Sequence, residues 1–361
     1  MRRNDPLEEW LFLANINELD PKNVAQRQAE AHAALDRLAE FLDNLPPKVN
    51  MGNVRLGSWW GAVGLVPADL ARAQELYRRV YAIRGTGNTF LQESLLQLIA
   101  ATEDPASVPF WVEILDLSRP RDTFTETRRT LALAALACLA IQRNSSAAYD
   151  ALRGAARHVR PEVRALAMYY LGRAYLEAER PIPPETLADL SDIAVHDAAF
   201  GPRFQARSVL RAADLPVPLD NPGGVYALKV KFKWAKRICR TIELKLEQTL
   251  DDLHFAIQQA ISWDADHLYS FYMNGRLHDE RYTFACPEDE DSPLFTDEAV
   301  IGELGLVMKH TFLYYFDYGD SHQFEVEVVG ICPEAERGKY PRVVDSQGKA
   351  PPQYSWGDEE E

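Results

Sequence analysis

Apolar positions in the first two thirds of the chain recur at helical spacing. Leu91, Leu95, Leu98 and Ile99 form one such stripe, Leu131, Ala135, Leu136 and Leu139 a second, and Val163, Leu166, Tyr170 and Leu171 a third. Short breakers divide them: Glu103-Asp104-Pro105, Ser118-Arg119-Pro120, Asn144-Ser145-Ser146, Arg160-Pro161 and Pro181-Ile182-Pro183-Pro184. This pattern predicts stacked helical hairpins, and strand signals are absent from it. The run Leu215-Pro216-Val217-Pro218-Leu219-Asp220-Asn221-Pro222-Gly223-Gly224 then stops either kind of element, and it is read as a linker.

Beyond that run the period changes from 3.6 to 2. Leu228, Val230, Phe232 and Trp234 alternate with Lys229, Lys231 and Lys233, and Ile242, Leu244 and Leu246 repeat the alternation, which predicts a hairpin. Thr249 is placed to cap a helix with Asp252 three residues on, and Leu250, Leu253, Ile257 and Ile261 supply its apolar stripe. Segments 268–273, 312–318 and 322–329 read as three more strands. The order predicts an α+β domain with a β-grasp-like mixed sheet and one packed helix. The expected division is a helical region over 1–87, helical repeats over 88–215, a linker over 216–224 and the α+β domain over 225–361.

Length agrees with a multidomain chain, because 361 residues exceed what one compact core serves. Hydrophobic residues at 47% and charged residues at 26% are in the range of folded proteins. Charge is uneven: residues 224–361 hold 14 Lys+Arg against 26 Asp+Glu, net −12, which leaves 25 against 28, net −3, for the rest. So acidic a domain repels phosphate backbones, and nucleic acid is a disfavoured partner. Met1-Arg2-Arg3-Asn4-Asp5 leads into polar residues and no run approaches about 18 apolar residues, so the expectation is no membrane span and a cytoplasmic location. Cys138, Cys239, Cys286 and Cys332 are widely spread with no C-x-x-C pair, as expected of free thiols.

Two of the helical breakers carry more detail. The turn at Asp104-Pro105-Ala106-Ser107-Val108-Pro109 before Phe110-Trp111, and the run from Pro161-Glu162-Val163 to Leu171-Gly172, resemble the inter-helix turn and second helix of HEAT repeats. That resemblance implies an α-helical solenoid with an extended binding surface. In the second domain, Thr249-Leu250, Leu253-His254, Ile257, Ala260, Trp263-Asp264, His267-Leu268, Phe271 and Phe316-Asp317-Tyr318-Gly319-Asp320 resemble the plasmid pRiA4b ORF-3-like family over nearly all of residues 224–361. The resemblance implies a fold more than an activity. Departures exist: His322 and Phe324 stand where the family often has Trp and His, and Ala350-Pro351-Pro352-Gln353-Tyr354 lacks the family's cysteine and glycine pair.

Candidate chemistry gathers on His254, His267 and His322 with Asp317 and Asp320, imidazoles and carboxylates that suit zinc or another divalent metal. Against that stands packing for His254, on the helix's apolar stripe, and turn chemistry for Asp317 and Asp320 around Gly319, which is expected to take positive φ. His322 shares the parity of Phe324, Val326 and Val328 and is expected to point inward. The glycine-rich stretch at 51–64 fails as a phosphate loop, because Ser58 stands where Lys is required after Gly57. Glu288-Asp289-Glu290-Asp291 lacks the spacing of a calcium loop. No cofactor motif is present.

Three functions are therefore open. The first is an adaptor that binds another protein through its helical half. The second is a metal-dependent enzyme with its site in the small domain. The third, implied by the naming of the family that the second domain resembles, is a regulator linked to mobile DNA, with the basic strip Lys229, Lys231, Lys233, Lys236, Arg237 and Arg240 as its phosphate contact.

Overall fold

A computed structural model describes residues 21–45, 67–83, 88–119, 122–289 and 294–354. The chain divides into two compact units, Met1–Leu187 and Ala188–Glu361. The glycine-rich stretch at 51–64, positions 290–291 and the acidic close at 358–361 lie outside the described residues.

The first unit is helical: α1 (Pro21–Asp43), α2 (Pro67–Ala82), α3 (Thr89–Ala101), α4 (Val108–Asp116), α5 (Thr125–Gln142), α6 (Ser146–Ala155) and α7 (Pro161–Glu177), with α8 (Pro184–His196) crossing the division. The breakers end and begin these helices by local chemistry. Asp104 accepts from the Ala106 N–H and caps a 3-10 turn that feeds α4, and Ser145 caps α6 by accepting from Ala148. Pro161 opens α7, where its missing N–H costs nothing. All three predicted stripes are buried. Helix α5 packs on α3, α4, α6 and α7, and α4 also meets α6.

Among the described residues, Arg128 is the most deeply buried charge of this unit. Arg128 is fully buried and donates to the Tyr77 hydroxyl (2.9 Å), Gln92 Oε1 (3.2 Å) and Asp122 Oδ2 (2.8 Å), joining α2, α3 and the segment before α5. A buried guanidinium is tolerable only with its donors satisfied and a counter-charge at hand, as they are here.

The second unit holds the end of α8, then α9 (Phe200–Ala212), β1 (Val225–Phe232), β2 (Cys239–Lys245), α10 (Leu250–Ile261), β3 (Tyr269–Tyr272), β4 (Thr283–Ala285), β5 (Thr311–Phe316), β6 (His322–Cys332) and β7 (Arg342–Gln347). The seven strands form one sheet in the order β4-β3-β5-β6-β1-β2-β7. Every pairing between these strands is antiparallel, which corrects the expected mixed sheet. The reason is that β1–β2 and β5–β6 are hairpins and the two hairpins meet through β1 and β6, again head to tail.

Alternation places Leu228, Val230, Ile242, Leu244, Phe271, Phe312, Tyr314, Phe316, Phe324, Val326 and Val328 on one buried face. Helix α10 covers it with Leu250, Leu253, Ile257 and Ile261. The capping box expected at its start is present, with Thr249 accepting from the Asp252 N–H and Asp252 accepting from the Thr249 N–H. Trp234 falls beyond the end of β1 and is 63% exposed, so the alternation stops at Phe232. No helix among the described residues is long and apolar enough to cross a membrane.

The second unit reaches further back than the 216–224 segment. Phe200 and Phe204 of α9 belong to the sheet's core; Phe200 stacks on His310 at 3.7 Å and Phe204 on Tyr282 at 5.1 Å. Arg207 is buried and donates to the carbonyls of Ala194 (2.9 Å), Pro218 (3.0 Å) and Gly302 (3.2 Å) and to Asp220 Oδ1 (2.7 Å). Gln205 donates to the Arg281 carbonyl at 3.1 Å. The proline-rich segment is thus bonded on both sides.

A fragment of residues 188–354 is expected to melt cooperatively, whereas one of residues 224–354 bares the faces of Tyr282, Phe284 and His310 and melts at a clearly lower temperature. Calorimetry on the two fragments checks this, and equal melting temperatures would contradict it.

Candidate functional site

The hairpin between β5 and β6 carries the candidate residues. Asp317 (φ 54°) and Ser321 (φ 58°) take the left-handed conformation, and Gly319 does not, so the expectation of positive φ at Gly319 is corrected. Asp tolerates that conformation because its short carboxylate bonds to its own backbone. Asp317 Oδ1 accepts the N–H groups of Gly319 (3.0 Å) and Asp320 (3.2 Å), and the Ser321 N–H donates to the Asp317 carbonyl at 2.7 Å. The Asp317 N–H in turn donates to the Leu268 carbonyl at 3.0 Å, which brings His267 alongside.

His322 opens β6 opposite Phe316 and faces the core side, as its parity implied. Its ring packs 4.7 Å from that of Trp263 and lies stacked 6.4 Å from that of Phe316. Its Nε2 is buried without a hydrogen-bond partner. A ring nitrogen of His322 and carboxylate oxygens of Asp317 and Asp320 lie within 4.8 Å of one another. His267 stands at the margin, its Nε2 3.8 Å from Asp317 Oδ2, 3.4 Å from Asp266 Oδ1 and 2.6 Å from the Tyr354 hydroxyl.

His254 is not part of this group. It lies fully buried against β3 and β5, its Nδ1 2.7 Å from the Tyr314 hydroxyl and its ring stacked on Tyr269 at 3.6 Å. Gln258 Nε2 donates to the same hydroxyl at 2.6 Å. The Phe316 ring, 5.9 Å from that of His254 and 6.4 Å from that of His322, neighbours both histidines, and His254 spends its Nδ1 on Tyr314. Burial pulls the His254 pKa down to about 3, a neutral imidazole of the core.

Tyr354, Asp266 and Trp263 complete the surroundings and were not singled out for the site. The segment that holds Tyr354 is fastened to the end of α10: Trp263 Nε1 donates to the Pro351 carbonyl at 2.8 Å and the Asp264 N–H donates to Gln353 Oε1 at 2.7 Å. Trp263 stands among the residues of the family resemblance, and the sequence signal at Tyr354 is the departure at 350–354. Charge around the turn is negative, and burial together with Asp317, Asp266 and Asp320 raises the Tyr354 pKa. Among the described residues, no hydrogen bond or ion pair holds the Asp320 carboxylate.

Four of the six residues of the basic strip, Lys231, Lys233, Lys236 and Arg240, have partners within this unit. Lys231 pairs with Glu327 (2.7 Å) and Glu325 (3.5 Å), Lys236 pairs with Glu325 (3.7 Å), and Lys233 Nζ donates to Gln323 (2.8 Å). Arg240 is buried and donates to the carbonyls of Ala260 (2.9 Å) and Gln347 (3.1 Å).

These features define an antiparallel sheet-and-helix domain with an acidic, imidazole-bearing turn at one end. Residues 224–357 match the model of the family described as Plasmid pRiA4b ORF-3-like protein. A crystal structure of a protein of unknown function, MM3350, from Methanosarcina mazei Go1 is similar at 29% identity, covering 37% of this chain and 75% of that one, with a TM-score of 0.32. No curated protein matches the chain.

Two outcomes test the turn and the buried histidines. Asp317→Ala removes two hydrogen bonds and the carboxylate that supports a left-handed residue, and should cost roughly 1–2 kcal/mol. Gly319→Ala should cost less than that, up to about 1 kcal/mol, because Gly319 needs no left-handed conformation and its new Cβ would press on Asp317 Oδ1 at 3.2 Å. Chemical denaturation checks the order, and the reverse order would restore Gly319 as the strained position. The second outcome concerns acid. Burial lowers His254 to about 3 and His310 to about 4 from an ordinary 6.5. Between those values the unfolded chain binds protons that the native state refuses, so stability is full above about pH 6.5 and falls as pH drops towards 4. Melting temperatures across that window should fall less steeply for His310→Asn than for the wild type; identical slopes would contradict this.

Proposed function

We propose that this protein is an adaptor whose helical unit binds another protein. Helices α3, α5 and α7 follow one another in one layer and α4 and α6 in a second, an arrangement that supports reading α3–α7 as HEAT-like hairpins of a short solenoid. Solenoids of this kind recognise partners with their exposed turns and concave faces. The four free cysteines fit a reducing cytoplasm as the working compartment.

The observation that carries the reading is the turn between α6 and α7. Val159 is 85% exposed there. The turn is held rigid rather than left loose: Arg164 donates to the carbonyls of His158 (2.9 Å) and Val159 (3.2 Å), and the Arg160 N–H donates to His158 Nδ1 at 3.1 Å. An apolar tip held in place in this way suits a partner that offers an apolar contact. Preorganisation of this sort lowers the entropy lost on binding. A regulator that grips DNA through the basic strip is less favoured, since Lys231 and Lys236 already have carboxylate partners.

Val159→Glu adds a charge at an exposed tip and should leave the melting temperature unchanged. Proteins captured by the immobilised wild type from cell extract and eluted under native conditions should be lost from the Val159→Glu form. An unchanged set of captured proteins would count against the adaptor reading at this turn.

A further inference from the structure

We propose that the turn at Asp317, Asp320 and His322 is a binding site for a divalent transition metal of the zinc class. The ligand atoms are one imidazole nitrogen and two carboxylate oxygens, all within 4.8 Å of one another. Zinc holds such ligands at about 2.0–2.2 Å, so neighbouring ligand atoms of a tetrahedral site lie roughly 3.4 Å apart. Closing the present group onto an ion therefore takes side-chain movements on the order of 1 Å.

Each residue is free to make that movement with one atom. Asp317 keeps Oδ1 on the backbone N–H groups of Gly319 and Asp320 and has Oδ2 available. Asp320 is exposed, and no hydrogen bond or ion pair with a described residue would be broken by its turning. His322 is held by Trp263 and Phe316, yet its Nε2 is a buried polar atom without a partner, a state that costs free energy unless something accepts from it or coordinates it. His267 stands just outside this group, its Nε2 3.8 Å from Asp317 Oδ2 and 2.6 Å from the Tyr354 hydroxyl.

Electrostatics selects the same kind of occupant. Asp266, Asp317 and Asp320 lie around the turn, and no lysine or arginine pairs with any of them among the described residues, so the local field attracts a cation. An imidazole in the ligand set favours zinc, cobalt or nickel over magnesium and calcium, which prefer all-oxygen sites. The metal site stands apart from the adaptor reading, because either can hold without the other.

The test uses the full chain, freed of metal by a chelator and dialysed. Isothermal titration with Zn²⁺ should show one ion per chain at the site, and Co²⁺ in its place should give the visible absorption of a low-symmetry, near-tetrahedral ion. Asp320→Asn and His322→Gln should each weaken binding at least about tenfold, while His196→Gln, at an exposed position of α8, should leave it unchanged. Asp320→Asn keeps the turn's backbone bonds, so its fold is not at risk, and equal melting temperatures without metal confirm that. Mg²⁺ and Ca²⁺ at the same concentrations should not compete. Absence of Zn²⁺ uptake by the wild type, or uptake unaltered in both Asp320→Asn and His322→Gln, would overturn the proposal.

Discussion

The second unit depends on one buried charge. Arg207 donates to the carbonyls of Ala194, Pro218 and Gly302 while paired with Asp220, and so one guanidinium joins the end of α8, the proline-rich segment and the loop that precedes β5. Burying an arginine is costly unless every donor finds an acceptor. That condition is met only when α9 lies on the sheet domain, and Arg203, bonded to the other oxygen of Asp220 at 2.5 Å, adds a second hold on the same carboxylate. Phe200 and Phe204 then supply the apolar contact that the polar bonds align.

With α9 in place, the sheet's inner face is closed by two helices, and its chemistry divides accordingly. Under α10, His254 Nδ1 and Gln258 Nε2 bond to the Tyr314 hydroxyl while His254 Nε2 and Gln258 Oε1 stay without a partner, and the Tyr269 hydroxyl is held by Asp251 and Thr296. At the β5–β6 turn the inner face runs out, and His322 and Asp317 meet exposed Asp320 there. The candidate site is thus a boundary feature, where side chains with core-facing parity reach the end of their cover.

Much of this was legible from local pattern. The capping box of α10 depends on residues three apart, and its stripe and the alternation of β1 and β2 are equally local, so sequence reading found them. Asp317, Asp320 and His322 were found for the same reason, lying within six residues of one another. Strand β7 was missed because it is exposed almost throughout and shows no alternation, and β4 because three residues carry no period. The place of α9 was hidden by distance: Arg207 and Gln205 find acceptors at Gly302 and Arg281, far along the chain. Prolines at 216, 218 and 222 end a helix whether the segment that follows is loose or bonded. His254 was placed with the site because its residue type suggested ligation, whereas its position on the stripe already placed it in the core.

Native-state hydrogen exchange on the full chain tests the central claim most directly, since it reports whether α9 opens with the sheet or apart from it. Amides of α9 near Phe204 and Arg207 should exchange with the same opening free energy as those of β1 and β5, and should weaken together with them under mild denaturant. Exchange of α9 at a much lower opening free energy, with β1 and β5 still protected, would contradict the account and return the boundary to the proline-rich segment.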